Sequence, residues 1–345
     1  MRASLARALL LGAVALTACF ARPFDPQSMV ATLRVLAVRA SHSTPPPGTD
    51  VSLTMLLHDG SPRALRADGT PRPIQIVWLS GCFDPAGDVY YQCYPSLAPA
   101  LAALRSGTPS PAVGTGSTFT LRVPADIVSR RPVPKGKPAY GISYVFYAIC
   151  AGKVVPVEPN DSSTPPLACL DEGGAEVSAD GFVFGFMPLY SYPGIDNQNP
   201  TIDAGTFDGS TLDPTACATD ADCGTGACNG AKVCAPLVTK CSRQGTGCSP
   251  HTFVPKVDPA SSEPDAVGSL IARAPRNERI YVQYFASRGT FSSDQRTAID
   301  PVYGPQDAFS TDWTPPVNAG DVRLWAVVRD NRGGVTWWWQ DVVVR

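Results

Sequence analysis

The fold is decided by the C-terminal stretch Gly320-Asp321-Val322-Arg323-Leu324-Trp325-Ala326-Val327-Val328-Arg329-Asp330-Asn331-Arg332-Gly333-Gly334-Val335-Thr336-Trp337-Trp338-Trp339-Gln340-Asp341-Val342-Val343-Val344. Two segments rich in β-branched and aromatic residues flank Asn331–Gly334, where glycine permits the positive φ of a tight turn. Apolar side chains recur at every second position of the first segment, which is the period of a strand with one buried face. The stretch therefore predicts a terminal β-hairpin.

Strand alternation also predicts which side chains of the hairpin face outward. The inner face holds Val322, Leu324, Ala326 and Val328, and the outer face holds Arg323, Trp325, Val327 and Arg329. Trp337 and Trp339 share one side of the partner strand and Trp338 takes the other, so Trp325 should have an aromatic neighbour. Two interpretations are open. The rings form an exposed platform, flanked by Arg323 and Arg329, for a sugar or a partner protein, or they are covered by another part of the chain.

The same two-residue period runs through the N-terminal half of the chain. Leu33, Val35 and Ala37 form one predicted strand face, and Val51–Leu57 and Ile74–Trp78 continue the pattern, separated by proline and glycine turns. Further strands are expected near Phe119, Tyr144, Lys153 and Phe182, and only Leu97–Arg105 has the composition of a short helix. About seven short strands, with Trp78 in the third, predict one immunoglobulin-like β-sandwich over residues 31–195.

A second domain is predicted over residues 196–345, beginning with a polar link that ends in Pro200. It is interrupted by a Cys-rich insertion at 215–250, and the run Cys217–Cys228 resembles small Cys-rich repeats of Gram-negative surface proteins. Trp313–Pro315 and Gly320–Gly334 resemble the closing strands of bacterial immunoglobulin-like and PKD-like modules, without the PKD signature Trp-x-Phe-Gly-Asp-Gly. We therefore expect a mainly β chain of two immunoglobulin-like β-sandwich domains, the second containing a disulfide-rich insertion.

Cysteine parity favours disulfide bonds. Setting Cys19 aside leaves ten of the 11 cysteines, an even number. Two pairs are expected to close local loops, Cys82 with Cys93 and Cys150 with Cys169. The remaining six, whose pairing the sequence leaves open, are Cys217, Cys223, Cys228, Cys234, Cys241 and Cys248. A zinc site is disfavoured because the cluster has no Cys-x-x-Cys knuckle and the chain has only three histidines. No metal or cofactor is expected.

Asp220 and Asp222 offer half of a possible calcium site, because carboxylate oxygens are ligands suited to a hard cation. The sequence has no complete Asp-x-Asp-x-Asp-Gly loop with a distal Glu, so a solvated turn is the preferred interpretation.

The N-terminus has the layout of a secretory signal peptide. Arg2 and Arg7 precede the apolar run Ala8–Leu16, which is far shorter than the roughly 20 residues of a membrane-spanning helix. Leu16-Thr17-Ala18-Cys19 resembles the lipobox of bacterial lipoproteins, which implies cleavage of residues 1–18, lipidation of Cys19 and a tether over 19–30. Phe20, rather than Asp, follows Cys19, and the resemblance to the sorting rule of enteric lipoproteins implies the outer membrane, at the periplasmic face or the cell surface.

Charge and motifs narrow the function classes. A net charge of -2 with 17% charged residues provides no broad electrostatic field for nucleic acid or for an acidic membrane surface, so neither partner class is implied by the overall charge and no nucleic-acid partner is expected. No Gly-x-Ser-x-Gly elbow, His-Glu-x-x-His, phosphate loop or dinucleotide fingerprint occurs, so no catalytic residue is assigned. The sequence favours a non-catalytic binding or scaffold lipoprotein, held to the membrane by lipid on Cys19, with an envelope protein or glycan as partner. The alternative is an enzyme acting on envelope polysaccharide, or an accessory module of one; carboxylates paired across a cleft would support it.

Overall fold

A computed structural model describes residues 26–66, 69–133, 138–158, 163–211, 214–243 and 247–345. The predicted signal peptide, the lipidation site Cys19 and most of the tether lie outside these residues. In the part of the chain that is described, no helix combines the length and the apolar character that crossing a membrane requires.

The first domain is a two-layer antiparallel sandwich. Its strands are β1 (Leu33–Ala40), β2 (Asp50–Asp59), β3 (Gln75–Phe83), β4 (Val113–Thr115), β5 (Thr118–Arg122), β6 (Gly141–Cys150), β7 (Lys153–Pro156), β8 (Leu167–Leu170) and β9 (Phe182–Ser191). One layer has the order β1-β2-β5 and the other the order β4-β3-β6-β9, while β7 and β8 form a separate hairpin. These orders are those of strands A-B-E and C′-C-F-G in an immunoglobulin-like sandwich.

Trp78 lies at the centre of the core between the two layers, as predicted. Its side chain is fully buried, its ring stacks 5.9 Å from that of Phe119, and its Nε1 donates a hydrogen bond of 2.8 Å to the carbonyl of Gly116. A buried tryptophan needs such an acceptor for its one polar hydrogen. The alternating residues Val51, Leu53 and Met55 of β2 fill the same core.

The outer face of the second layer is also buried. It is covered by the 3₁₀ turns Ala86–Asp88 and Tyr90–Leu97 and by helix α1 (Ala98–Ser106). Cys82–Cys93 and Cys150–Cys169, the two predicted pairs, fix this cover and the β7–β8 hairpin to the sheet. Because both faces are buried, β6 is almost continuously apolar rather than alternating.

The second domain repeats the architecture. Its elements are β10 (Ile202–Phe207), β11 (Ala227–Cys228), β12 (Cys234–Ala235), β13 (Leu237–Val238), β14 (His251–Val257), helix α2 (Ala266–Ala272), β15 (Ile280–Ala286), β16 (Thr290–Phe291), β17 (Gln295–Asp300), β18 (Gly304–Pro305), β19 (Thr311–Thr314), β20 (Gly320–Arg329) and β21 (Val335–Val344). The layers have the orders β10-β14-β19-β16 and β13-β21-β20-β15-β17-β18. The predicted terminal hairpin is β20–β21, antiparallel from Gly320↔Val344 to Arg329↔Val335.

The Cys-rich insertion lies between β10 and β14. Its disulfides join Cys217 to Cys228, Cys223 to Cys234, and Cys241 to Cys248. Its apolar contact with the sandwich is small: Ala227 and Ala235 pack on Val343, and β13 adds to the edge of β21 in parallel and places Val238 in the core. With so little buried apolar surface, the insertion depends on crosslinks that restrict its unfolded state.

A β-bulge in β1 corrects one detail of the sequence analysis. The pairing with β2 shifts between Val35 and Ala37, so Val35 packs towards the sandwich core whereas Leu36 and Ala37 face the second domain. Strict alternation placed Ala37 in the core, and this was wrong because a bulge adds one residue and changes the face.

Candidate binding surface

The strand register places the hairpin side chains on the predicted faces. Val322, Leu324 and Ala326 lie in the core of the second sandwich. Trp325 lies directly opposite Trp339 on the outer face, and Trp337 pairs with Val327 on the same face. The aromatic neighbour expected for Trp325 is therefore present.

The exposed platform is nevertheless wrong for Trp325. Its side chain is only 2% exposed and packs in an apolar cluster with Val30, at the end of the tether, and with Leu36 and Ala37 of the first domain, while the His58 ring lies 4.8 Å away. The outer face of this sheet is the interface between the two domains. Burial of the large ring against the first domain removes apolar surface from water. Trp325 is therefore covered by another part of the chain, which is the second of the two interpretations of the sequence.

The two arginines that flank Trp325 are engaged within the protein. Arg329 donates to the carbonyl of Leu36 and to Oε1 of Gln283, both at 2.8 Å, and burial lowers its pKa. Arg323 forms a bidentate pair with Asp341 at 2.6 and 2.8 Å. Arg329 therefore joins the domains instead of bordering a binding platform.

The remaining hairpin tryptophans have three different environments. Trp337 is half-buried beneath the guanidinium of Arg39 at 4.7 Å, and Trp338 stacks on Phe253 at 4.9 Å in the core. Trp339 is 48% exposed, with Arg323 at 5.8 Å from its ring. A groove of about 250 Å³ separates these rings from the Cys-rich insertion. These tryptophans do not form one continuous aromatic surface. Strand alternation turns Trp338 towards the core, and the domain interface covers Trp325 but leaves Trp339 exposed.

The Cys-rich insertion offers sulfur atoms but not a metal site. Sγ atoms of Cys217, Cys223 and Cys234 lie within 4.8 Å of one another, and each belongs to a disulfide. Zinc requires thiolates, which these bonded sulfurs do not supply.

The carboxylates of Asp220 and Asp222, the candidate calcium ligands, accept hydrogen bonds from the protein itself. Asp222 accepts from the backbone amides of Ala218 and Thr219 at 2.8 Å, and Asp220 accepts from the amide of Cys228 at 2.9 Å and pairs with Arg345. These hydrogen bonds hold the pKa of both groups below the usual range. Both side chains stabilise turns of the insertion.

The structure also shows a cleft at the domain junction that the sequence analysis missed. It measures about 400 Å³ and is lined by Tyr190 and Tyr192 of the first domain and by Val267, Ile271 and Asn331 of the second. We call it the tyrosine cleft. Period-2 aromatic spacing in Phe182–Tyr192 was the available signal, but the facing wall comes from residues far along the chain.

Three tyrosines organise one wall of the tyrosine cleft. The rings of Tyr190 and Tyr192 are nearly parallel with centroids 6.3 Å apart, and Tyr140 lies 5.9 Å from each. Burial raises the pKa of all three, to about 12 for Tyr140, so the phenols remain protonated at neutral pH. The Tyr140 hydroxyl donates to Asp88 at 2.5 Å. The wall therefore offers flat apolar rings with hydroxyl groups at their edges.

The floor of the junction is polar and largely hydrogen-bonded within the protein, although among the described residues Oδ1 of Asn197 and Oε1 of Glu278 are buried without a hydrogen-bond partner. Asp330 accepts from the amides of Arg332 and Gly334 at 2.7 and 2.8 Å and from the Asn197 amide group at 3.0 Å. Arg332 contacts the fully buried Glu278 at 3.2 Å. Burial, and then the charge of Asp330, raise the pKa of Glu278 to about 8 in spite of Arg332.

The comparisons add little to this description. No protein-family profile and no curated protein matches the chain. Among solved structures, the D00-D0 domain of intimin is 10% identical with a TM-score of 0.23, covering 91% of this chain and 98% of that one. Latent PorU from Porphyromonas gingivalis is 12% identical with a TM-score of 0.21, covering 92% of this chain and 24% of that one. Escherichia coli α2-macroglobulin is 10% identical with a TM-score of 0.21, covering 93% of this chain and 23% of that one. The assignment of the fold rests on strand order.

Proposed function

We propose that the chain is an outer-membrane lipoprotein, anchored by lipid on Cys19, that binds an envelope ligand in the tyrosine cleft without catalysing a reaction. The observation that carries the binding function is the cleft itself, built from both sandwiches and lined on one wall by stacked tyrosine rings. Five disulfides among the described cysteines suit an oxidising compartment outside the cytoplasm.

The chemistry of the cleft favours a glycan as the ligand. Flat aromatic rings stack on the apolar faces of sugars, and protonated phenols donate hydrogen bonds to their hydroxyl groups. The polar groups beneath are already engaged within the second domain: Asn331 donates to Asp265 at 3.0 Å and Arg332 donates to the carbonyl of Asp196, in the polar link, at 2.5 Å. Ligand contacts would therefore fall mainly on Tyr190, Tyr192 and the opposite apolar residue Ile271.

The carboxylates near the cleft support binding more than glycan hydrolysis. A hydrolase needs one carboxyl group to protonate the leaving oxygen and another that faces it. Asp330 accepts three hydrogen bonds, Asp265 accepts from the Gly268 amide at 2.7 Å, and Glu278 is covered. Each has a structural task, so we infer a binding protein in preference to an envelope polysaccharide enzyme.

Purified envelope glycans test the ligand. The double substitution Tyr190→Ala/Tyr192→Ala should lower the affinity by at least about tenfold, because aromatic contacts contribute on the order of 1 kcal/mol each. Titration calorimetry against peptidoglycan and lipopolysaccharide fragments measures it. Trp339→Ala is the matched control, since that ring is 48% exposed and lies outside the cleft lining. Equal affinity of the double variant and the wild type would contradict the glycan site, as would capture of an envelope protein alone.

The anchor is tested separately. Cys19→Ala should abolish labelling by a metabolic fatty-acid probe, because the substitution removes the thiol that is lipidated. Cys241→Ser/Cys248→Ser is a control that changes two cysteines of the insertion and should keep the label. A Cys19→Ala chain that is labelled as strongly as the wild type would show that the lipid is elsewhere or that the label is not a lipid anchor.

A further inference from the structure

An exposed apolar patch lies on the second domain beside the tyrosine cleft. Leu270 and Ile271 of helix α2 are 55% and 67% exposed, and Val302 and Tyr303, in the turn between β17 and β18, are 69% and 83% exposed. Ile271 and Pro301 line one hollow of about 390 Å³, so the helix and the turn are neighbours. Four large apolar side chains that protrude together mark an interaction surface.

Three exposed arginines surround this patch. Arg273, Arg276 and Arg279 follow helix α2, and Arg276 and Arg279 line the same hollow. Among the residues that the structure describes, no ion pair or hydrogen bond is formed by these three arginine side chains. We call the four apolar residues and the three arginines the basic patch.

Few negative charges oppose the basic patch. Glu278 is fully buried beside Arg332, and Asp265 is buried and caps helix α2. Asp300 is half-buried, and its Oδ1 accepts from the amides of Val302 and Tyr303 at 2.8 and 3.1 Å, which orders the turn. These hydrogen bonds, and then the charge of Arg279, lower the pKa of Asp300, so one negative charge faces the three arginines. The exposed formal charge is therefore positive around side chains that are apolar.

We propose that the basic patch docks onto the surface of an anionic phospholipid bilayer. Leucine, isoleucine, valine and tyrosine enter the boundary between headgroups and acyl chains, while arginine binds the phosphates. A lipid surface fits better than an acidic protein because the apolar side chains stand at the tips of a short helix and a turn, where a soft interface accepts them. The biological setting rests on the proposed lipid anchor, which would keep the patch near a bilayer, but the binding itself does not require the anchor.

The full mature chain carrying Cys19→Ala separates this proposal from the anchor. Without lipid, the protein should cosediment with vesicles of phosphatidylglycerol and phosphatidylethanolamine at low salt and should remain free with phosphatidylcholine vesicles. Binding should weaken at high salt, since the charges are exposed to screening. Because the lipid is absent throughout, failure to bind would refute the patch and leave the anchor intact.

Two variants locate the binding. Arg273→Ala/Arg276→Ala/Arg279→Ala should lower the partition coefficient by about a hundredfold, because each arginine near an anionic surface contributes about fivefold. Val302→Asp/Tyr303→Asp should also abolish cosedimentation. None of the five substituted side chains is buried, and a melting temperature equal to that of the wild type would confirm that each variant is folded.

The matched control removes the same number of positive charges from another part of the surface. Arg63, Arg66 and Arg72 are three exposed arginines of the first domain, and their joint replacement by alanine should leave vesicle binding within about twofold. Equal losses in the two triple variants would mean that only net charge matters and would overturn the proposal. Loss of binding to an acidic protein without any effect on vesicles would replace the bilayer by a protein partner.

Discussion

At the scale of single residues, neighbouring tryptophans of one hairpin have opposite roles. Trp325 and Trp339 are cross-strand partners on one face, yet Trp325 is 2% exposed and Trp339 is 48% exposed. The difference arises because Leu36 and Ala37 of β1, in the first domain, pack in one apolar cluster with Trp325, and Trp339 lies outside that cluster. Sequence alternation could predict the shared face, but the covering element lies almost three hundred residues upstream.

Substitution of these two tryptophans gives the first prediction. Trp325→Ala leaves a cavity between the domains and should lower the free energy of unfolding by about 3 to 5 kcal/mol. Trp339→Ala removes a partly exposed ring and should cost less than about 1 kcal/mol. Denaturant unfolding followed by far-ultraviolet circular dichroism compares them. Similar costs for both variants would contradict the interface assigned to Trp325.

The buried Glu278 gives a prediction about pH. Its pKa is about 8 in the folded state and ordinarily 4.5, so the folded protein retains a proton that the unfolded chain loses. Stability from this group is therefore fully present below pH 4.5 and is lost as pH rises towards 8. Glu278→Gln should flatten this part of the pH profile. Denaturant unfolding at several pH values measures the difference in unfolding free energy between the variant and the wild type. His58 is present in both proteins, so its contribution cancels in this difference. Parallel pH profiles of the two proteins would contradict the prediction.

At the scale of elements, the sequence predicted most strands and the two local disulfides. Regular alternation identifies β2, which has one buried face, whereas β20 and β21 were identified by the turn Asn331–Gly334 between two segments rich in β-branched and aromatic residues. The cover on the outer face of β6 was not predicted, since a strand buried on both sides has no alternation to detect. The tyrosine cleft was missed for a related reason: its two walls, Tyr190 and Ile271, belong to different domains.

Two disulfides with the same sequence separation should have unequal effects. Cys82–Cys93 and Cys223–Cys234 both join residues 11 apart, but only the first lies in a large hydrophobic cluster. Cys82→Ser/Cys93→Ser should lower the stability of the first domain by about 3 kcal/mol. Cys223→Ser/Cys234→Ser should open the insertion to proteases while the sandwiches melt as before. Limited proteolysis with mass spectrometry, beside thermal unfolding, separates local from global effects; a lower melting temperature in the second variant would be the contrary result.

At the scale of the whole molecule, the polar link is part of the junction. Asn197 donates to Ser43 and Asp330, and Asn199 donates to the carbonyl of Ala40 and accepts from the amide of Val335. The sequence predicted a junction here from the absence of apolar side chains. It could not show that these polar groups bind both domains, because their hydrogen-bond partners are supplied by residues far away along the chain.

The last prediction follows from this junction. Apolar contacts of Trp325 and the hydrogen bonds of Asn199 reach both sandwiches, so unfolding of one domain exposes surface of the other, and the wild type should unfold in one transition. Trp325→Ala/Asn199→Ala should separate the transitions, because a cavity and two unpaired backbone groups replace the coupling. Tryptophan fluorescence and hydrogen exchange of each domain, measured across a denaturant series, report the two sandwiches separately. Two independent transitions already in the wild type would mean that the junction does not couple the domains, and the tyrosine cleft would then lack the fixed geometry on which ligand binding by both walls depends.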